Sequence, residues 1–165
     1  MKQIKTLFIA TLTFLATITL TAQTKTAHID VNELLSKMPE MITAKAQLEK
    51  LSKTLDTDYT GMVTEYQTKM KKYEGEATTQ TEAINETRAK EMQDMGQRIQ
   101  QYRDGAQKQL QDKQMEIEKP IYDKIKLAIQ KVGRAKGYQY VVDIASLILA
   151  DGPNIMEDVK KELKF

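Results

Sequence analysis

The chain has no cysteine, no tryptophan, one histidine, three prolines and three serines among its 165 residues. Without cysteine there is no disulfide, no thiolate metal site and no thiol nucleophile. The single imidazole, His28, leaves no histidine cluster for zinc or iron. Aromatic residues make up 6% and charged residues 29%, the composition of long exposed helices rather than of a compact α/β enzyme. Gly61, Gly75, Gly96 and Gly105 stand singly in polar sequence, so they form no phosphate-cradling loop. They mark either tolerated bending or close approach of paired helices. Asp143 and Asp151 have no base or nucleophile placed with them and read as turn or cap residues. His28 reads as a structural histidine in a strand. No catalytic residue, cofactor or metal is expected, and the chain reads as a non-enzyme.

Long apolar runs are also missing. The apolar part of the N-terminus, Leu7 to Leu20, is 14 residues and is diluted by Thr11, Thr13, Thr17 and Thr19, whereas a membrane span needs roughly 20 mostly apolar residues. With Lys2 and Lys5 ahead of it, this stretch reads as a secretory signal over residues 1–22, cleaved after Ala22. An uncleaved anchor is the alternative. Two of the 25 basic residues lie in this leader, so the remaining chain sets 23 basic residues against 23 acidic ones. A nucleic-acid partner loses its main support.

What is present is helical periodicity. Leu48, Leu51, Leu55, Tyr59, Met62, Tyr66, Met70, Tyr73 and Ala77 are spaced 3, 4, 4, 3, 4, 4, 3 and 4. That is an eleven-residue repeat of about 3.67 residues per turn, close to an untwisted α-helix. A second series runs through Met92, Met95, Ile99, Tyr102, Ala106 and Leu110, is interrupted by Lys113 and Gln114, and resumes at Ile117, Ile121, Ile125, Ala128 and Val132. Two such stripes should pair. The stripe lapses after Gly75, which places the turn near residues 78–86, with arms over roughly 40–77 and 87–133. Pro120 should disturb the second arm and could act as a pivot.

The chain ends read as a small strand-and-helix body, residues 23–39 and 134–165, with the hairpin, 40–133, inserted between them. Thr26 to Val31 is a candidate strand, and Asn32 a candidate N-cap. Tyr138 to Asp143 is a β-branched and aromatic run, Leu147 to Ala150 a second apolar run, and Asn154 can cap a last helix reaching about Leu163. So few residues make a marginal core, for which self-association is a remedy. Off the stripes, Val63, Ile84 and Met115 are candidates for exposed apolar contact, joined by the flexible thioethers Met70 and Met92. Core packing on the stripes competes for Met62, Met70, Met92 and Met95.

The exported start, His28-Ile-Asp-Val-Asn-Glu-Leu-Leu35, the polar hairpin and the ending Gly137-Tyr-Gln-Tyr-Val-Val-Asp143, Leu147-Ile-Leu-Ala-Asp151, Asn154-Ile-Met-Glu-Asp-Val159 resemble the Skp/OmpH-like family of periplasmic chaperones. Asn154 and Met156 stand where that family usually has Asp and Thr. The resemblance implies an α+β, mostly α fold: a long antiparallel helical hairpin arm on a small β-rich oligomerisation body, three copies forming a jellyfish-like homotrimer. Ile29, Val141, Val142, Ile144, Leu147 and Leu149 are the candidate trimer contacts. It further implies an ATP-independent periplasmic holdase that binds unfolded outer-membrane β-barrel proteins and prevents their aggregation. The near-neutral arms argue against anionic lipid or lipopolysaccharide binding. The alternative is a structural coiled-coil envelope protein with a fixed helical partner.

Overall fold

A computed structural model describes residues 24–165. The expected leader, 1–22, lies outside the described residues. The chain divides into two compact units, one joining the chain up to Leu35 with Ile125–Phe165, the other Ser36–Lys124. The boundary thus falls at 124/125 and not at 133/134. Ile125, Ala128 and Val132 are buried in the strand-bearing unit, so the last three turns of the long helix serve that unit's core.

In the strand-bearing unit, β1 (Thr26–Ile29) pairs in parallel with β2 (Tyr140–Asp143), Thr26 opposite Tyr140 and Ile29 opposite Asp143. The other edge of β1 is also engaged: the His28 amide donates to Pro153 O (2.9 Å), and the Ile155 amide donates to His28 O (3.1 Å). That makes β2 the edge strand, and nothing among the described residues pairs with its outer side. Strands shorter than the two apolar runs follow from this geometry, because only four residues of each face a partner.

Asp30 caps α1 (Val31–Lys37), its Oδ1 accepting from the Glu33 amide at 2.8 Å. The expected cap, Asn32, lies inside the helix, because the carboxylate two residues earlier reaches the third helical amide. The N-cap of α4 (Met156–Leu163) is Ile155 and not the expected Asn154, which lies one residue earlier and makes an Asx turn, its Oδ1 accepting from the Met156 amide (2.8 Å). Ala27, Ile29, Leu34, Ile155 and Val159 are core residues. The segment after β2 turns through a short 3-10 stretch, Ile144–Ser146, and then forms no strand. Leu147, Ile148 and Leu149 are 38%, 108% and 73% exposed.

The long helix ends in this unit by a Schellman motif. The Tyr138 amide donates to Gly133 O (2.9 Å) and the Gly137 amide to Arg134 O (3.0 Å), with Gly137 at φ +72°. A side chain at that left-handed position would cost about 1 kcal/mol.

The second unit is an antiparallel helical hairpin. Its first helix, α2 (Pro39–Glu76), starts with proline at a position where a missing amide costs nothing. A 3-10 turn, Ala77–Thr79, leads to α3 (Glu82–Ala135). The second helix therefore begins five residues before the expected 87, and the turn is 77–81. Thr81 supplies the missed signal: its Oγ1 accepts from the Ile84 amide (3.4 Å), and Asn85 Nδ2 reaches back to Ala77 O (2.9 Å). Pro120 lies inside α3 and is exposed, and the helix continues through it. Water can satisfy the carbonyl that the proline leaves unbonded.

From Leu48 to Tyr73, each residue of the eleven-residue repeat is half-buried. A helix with one neighbour covers its stripe from one side only, so complete burial is not attainable along most of the hairpin. Lys113 continues the α3 stripe at half-buried depth, its Nζ 2.9 Å from Glu116. Beside it an open groove of about 590 Å³ is bounded by Gln47, Leu51, Asp112 and Lys113.

The isolated helix glycines now separate from the packed one. A Cβ added at Gly61, Gly75 or Gly105 would meet nothing within 4 Å, whereas at Gly133 it would come to 3.0 Å from Val141 Cγ2. Close approach is thereby excluded at the first three. Gly61→Ala combined with Gly105→Ala is expected to stabilise the chain by about 1–2 kcal/mol in denaturant unfolding, because glycine in a helix interior costs up to about 1 kcal/mol against alanine. Gly133→Ala is expected to gain less than either of these changes, because the Val141 methyl has to give way to the new Cβ. Unfolding midpoints that move the other way would contradict the assignment.

Candidate functional site

By helical spacing, each arm has two flanks beside its stripe. Glu40, Asp58, Glu65, Lys69 and Glu76 share one flank of α2, and the cross-helix polar bonds gather there. Lys69 Nζ lies 2.7 Å from Glu91 and 3.3 Å from Glu65, Tyr73 OH donates to Glu91 (2.7 Å), and Arg88 Nη2 bonds Glu76 (2.6 Å). Nearer the open end of the hairpin, Tyr102 OH donates to Asp58 (3.2 Å), and Lys124 pairs with Glu40. The Arg88 guanidinium also sits 4.5 Å from the Tyr73 ring centroid. Its Nη1 is buried without a hydrogen-bond partner, facing a ring instead of an acceptor.

These bonds staple the end of the hairpin where the apolar stripe thins. The Lys69 ammonium, then the Tyr73 hydroxyl, hold the Glu91 carboxyl below the usual carboxylate range. A lowered folded value means that the stabilisation is present above the unfolded value near 4.5 and is lost as pH falls through the folded one. Glu91→Gln is therefore expected to lower the thermal midpoint at pH 7 and to flatten its decline between about pH 5 and 3. Parallel midpoint curves for the two proteins would contradict the staple.

The opposite flank carries none of these bonds. Ser52, Asp56, Tyr59, Val63 and Met70 of α2 face Met92, Gly96, Arg103, Gln107 and Leu110 of α3 by the same spacing. An open groove of about 320 Å³ runs there, with Leu55, Tyr59, Ala106 and Leu110 as its floor and Asp56 and Arg103 among its lining. Apolar atoms of the two stripes are reachable from this side.

The candidate contact residues scatter. Val63, Met70 and Met92 are half-buried beside or on the stripe, Ile84 is 41% exposed near the turn, and Met115 is 55% exposed on the back of α3. Helical phase brings Val63, Met70 and Met92 to the groove flank and leaves Met115 apart. Ile42, Tyr122 and Leu127 are further exposed apolar residues off the stripe. In the strand-bearing unit Ile29 is 1% exposed and belongs to its own chain's core, which leaves it no surface for a partner. Val141, Val142 and Ile144 are half-buried, and Leu147 and Leu149 are exposed with Ile148 between them. Asp143 Oδ1 accepts from the Ala145 and Val31 amides (3.3 and 3.4 Å), a capping role. Asp151 is exposed in a loop.

A long two-helix hairpin with half-covered apolar stripes, carried in one chain with a small parallel strand pair, defines a mostly α class of fold. The chain belongs to the OmpH-like outer membrane protein family, whose description, Outer membrane protein (OmpH-like), matches residues 25–163. It is 31% identical over 144 residues to the chaperone protein Skp of Yersinia enterocolitica, covering 85% of this chain and 86% of that one. The crystal structure of an OmpH-like protein from Caulobacter crescentus CB15 superposes with a TM-score of 0.76 at 17% identity, covering 87% of each chain. The fold is thus helical arms with a small β body.

Proposed function

We propose that this protein is an outer-membrane-protein chaperone: an ATP-independent periplasmic holdase that keeps unfolded β-barrel chains from aggregating in transit. The half-covered pair of apolar stripes carries the proposal. A surface long, apolar and shallow holds many chain segments weakly, without selecting one sequence. The likeness to a chaperone of the Skp type supports the same role, and the basic, threonine-diluted N-terminus supports export. The protein acts as a homotrimer, joined through the open edge of β2 and the exposed Leu147–Leu149 run, since an unpaired strand edge beside apolar surface invites another chain.

Residues 40–119 hold 13 basic and 15 acidic side chains, so long-range attraction to an acidic client has no net source. Charges are also screened over about 8 Å at physiological ionic strength. Apolar burial at roughly 25 cal/mol per Å² remains, shared among Val63 and the groove residues Leu55, Tyr59, Ala106 and Leu110. Client affinity is therefore expected to change less than about threefold, under about 1 kcal/mol, between low and moderate salt. The measurement is the Kd for an acidic β-barrel protein kept unfolded in dilute urea, across a salt series. A tenfold weakening would show that charge patches grip the client.

A further inference from the structure

With cysteine absent, thioether sulfur is the only sulfur in the chain, and seven of its nine methionines lie in the hairpin unit. Four of them, Met62, Met70, Met92 and Met95, fall along the stretch that ends at the polar staple. The bonds from Glu91 to Lys69 and Tyr73 place Met92 at the level of Met70. A cleft of about 80 Å³ is lined by Met62, Met95 and Ile99 together with the charged Glu65 and Arg98. Exposure is graded: Met95 is 5% exposed, Met62, Met70 and Met92 are half-buried, and Met115, off the seam, is 55% exposed. The three half-buried methionines keep part of their surface open to small oxidants, and along α2 the stripe offers one apolar side chain per turn.

We propose that Met62, Met70 and Met92 are oxidation sites whose conversion to sulfoxide opens the distal hairpin. Hypochlorous acid transfers its oxygen to each Sδ. Sulfur is oxidised by two electrons, chlorine leaves as chloride, the proton passes to water, and no carbon–sulfur bond breaks. A flexible apolar side chain becomes polar and is better solvated outside the seam. Met62 and Met70 lie on α2 and Met92 on α3, so both helices lose apolar contact at once. Separation then uncovers Tyr59, Tyr66 and their neighbours on the stripe. The oxidised protein holds unfolded chains more tightly, a consequence that rests on the holdase function proposed above.

The test treats protein purified after expression of the full chain with stoichiometric hypochlorous acid. Sulfoxides are mapped by mass spectrometry, and an apolar-surface dye is titrated alongside client affinity. The expected result is oxidation of Met62, Met70, Met92 and Met115 ahead of Met95, with dye binding and client affinity each rising about threefold or more. Reduction by a methionine sulfoxide reductase with a thiol donor should reverse both. A variant with Met62, Met70 and Met92 replaced by leucine, which preserves apolar volume, should show neither rise although Met115 is oxidised. Three events would each overturn the proposal: seam sulfoxides without a rise in dye binding, the same rise in the leucine variant, or seam methionines that stay reduced while Met115 converts. If the untreated protein holds no client, the holdase function fails, and the mass and dye measurements still decide the seam.

Discussion

Replacing Val159 by aspartate is expected to collapse the strand-bearing unit. Val159 is 0% exposed on α4, in the same core as Ile29, Leu34 and Ile155. A carboxylate there has to be desolvated without a partner or protonated against its preference, at a cost of about 3 kcal/mol or more. A unit of this size has little stability to lose. The thermal midpoint should fall by about 10 °C, and the fall should be smaller at low pH, where the carboxyl is neutral. Val63→Asp, at a half-buried position of the hairpin, serves as the comparison and should cost far less. Equal losses for the two variants would contradict the location of the core.

The paired change Ile148→Asp and Leu149→Asp should have the opposite profile. Both side chains are exposed in the single chain, at 108% and 73%, so two charges there cost almost nothing in the folding of one copy. In an assembly that buries them, each loses roughly 1.5–3 kcal/mol of apolar burial and adds an unpaired charge to every interface. Sedimentation should report a monomer in place of a trimer, with far-UV circular dichroism unchanged. A variant that remained trimeric would move the interface away from this run, and a variant that unfolded would mean that the run is structural within one chain.

Much of the hairpin was legible from side-chain spacing. Leu48 through Tyr73 recur every three or four residues because each must face one neighbouring helix, and the half-buried depth of all of them follows from that single neighbour. Local capping was harder to read. Asp30 and Asn32 are both good cap residues, and only the path of the chain decides which oxygen reaches an amide. Thr81 went unnoticed because the apolar stripe fades there, yet one hydroxyl and Asn85 suffice to start α3 early. The contact candidates were least legible. Ile29 and Leu149 look alike as apolar residues in short runs, but one is core and the other lies open. Which flank of the hairpin gathers the cross-helix polar bonds depends on the register of two helices across the turn, information that no single stripe contains.

The most direct measurement is the turbidity of an unfolded outer-membrane β-barrel protein diluted from urea, with and without the chain from residue 23 onward and without nucleotide. Aggregation should be suppressed increasingly as the protein is added, and suppression should persist at moderate salt, as expected for apolar holding. Turbidity that is unchanged at a clear excess of the protein, or that falls only when ATP is added, would contradict a holdase.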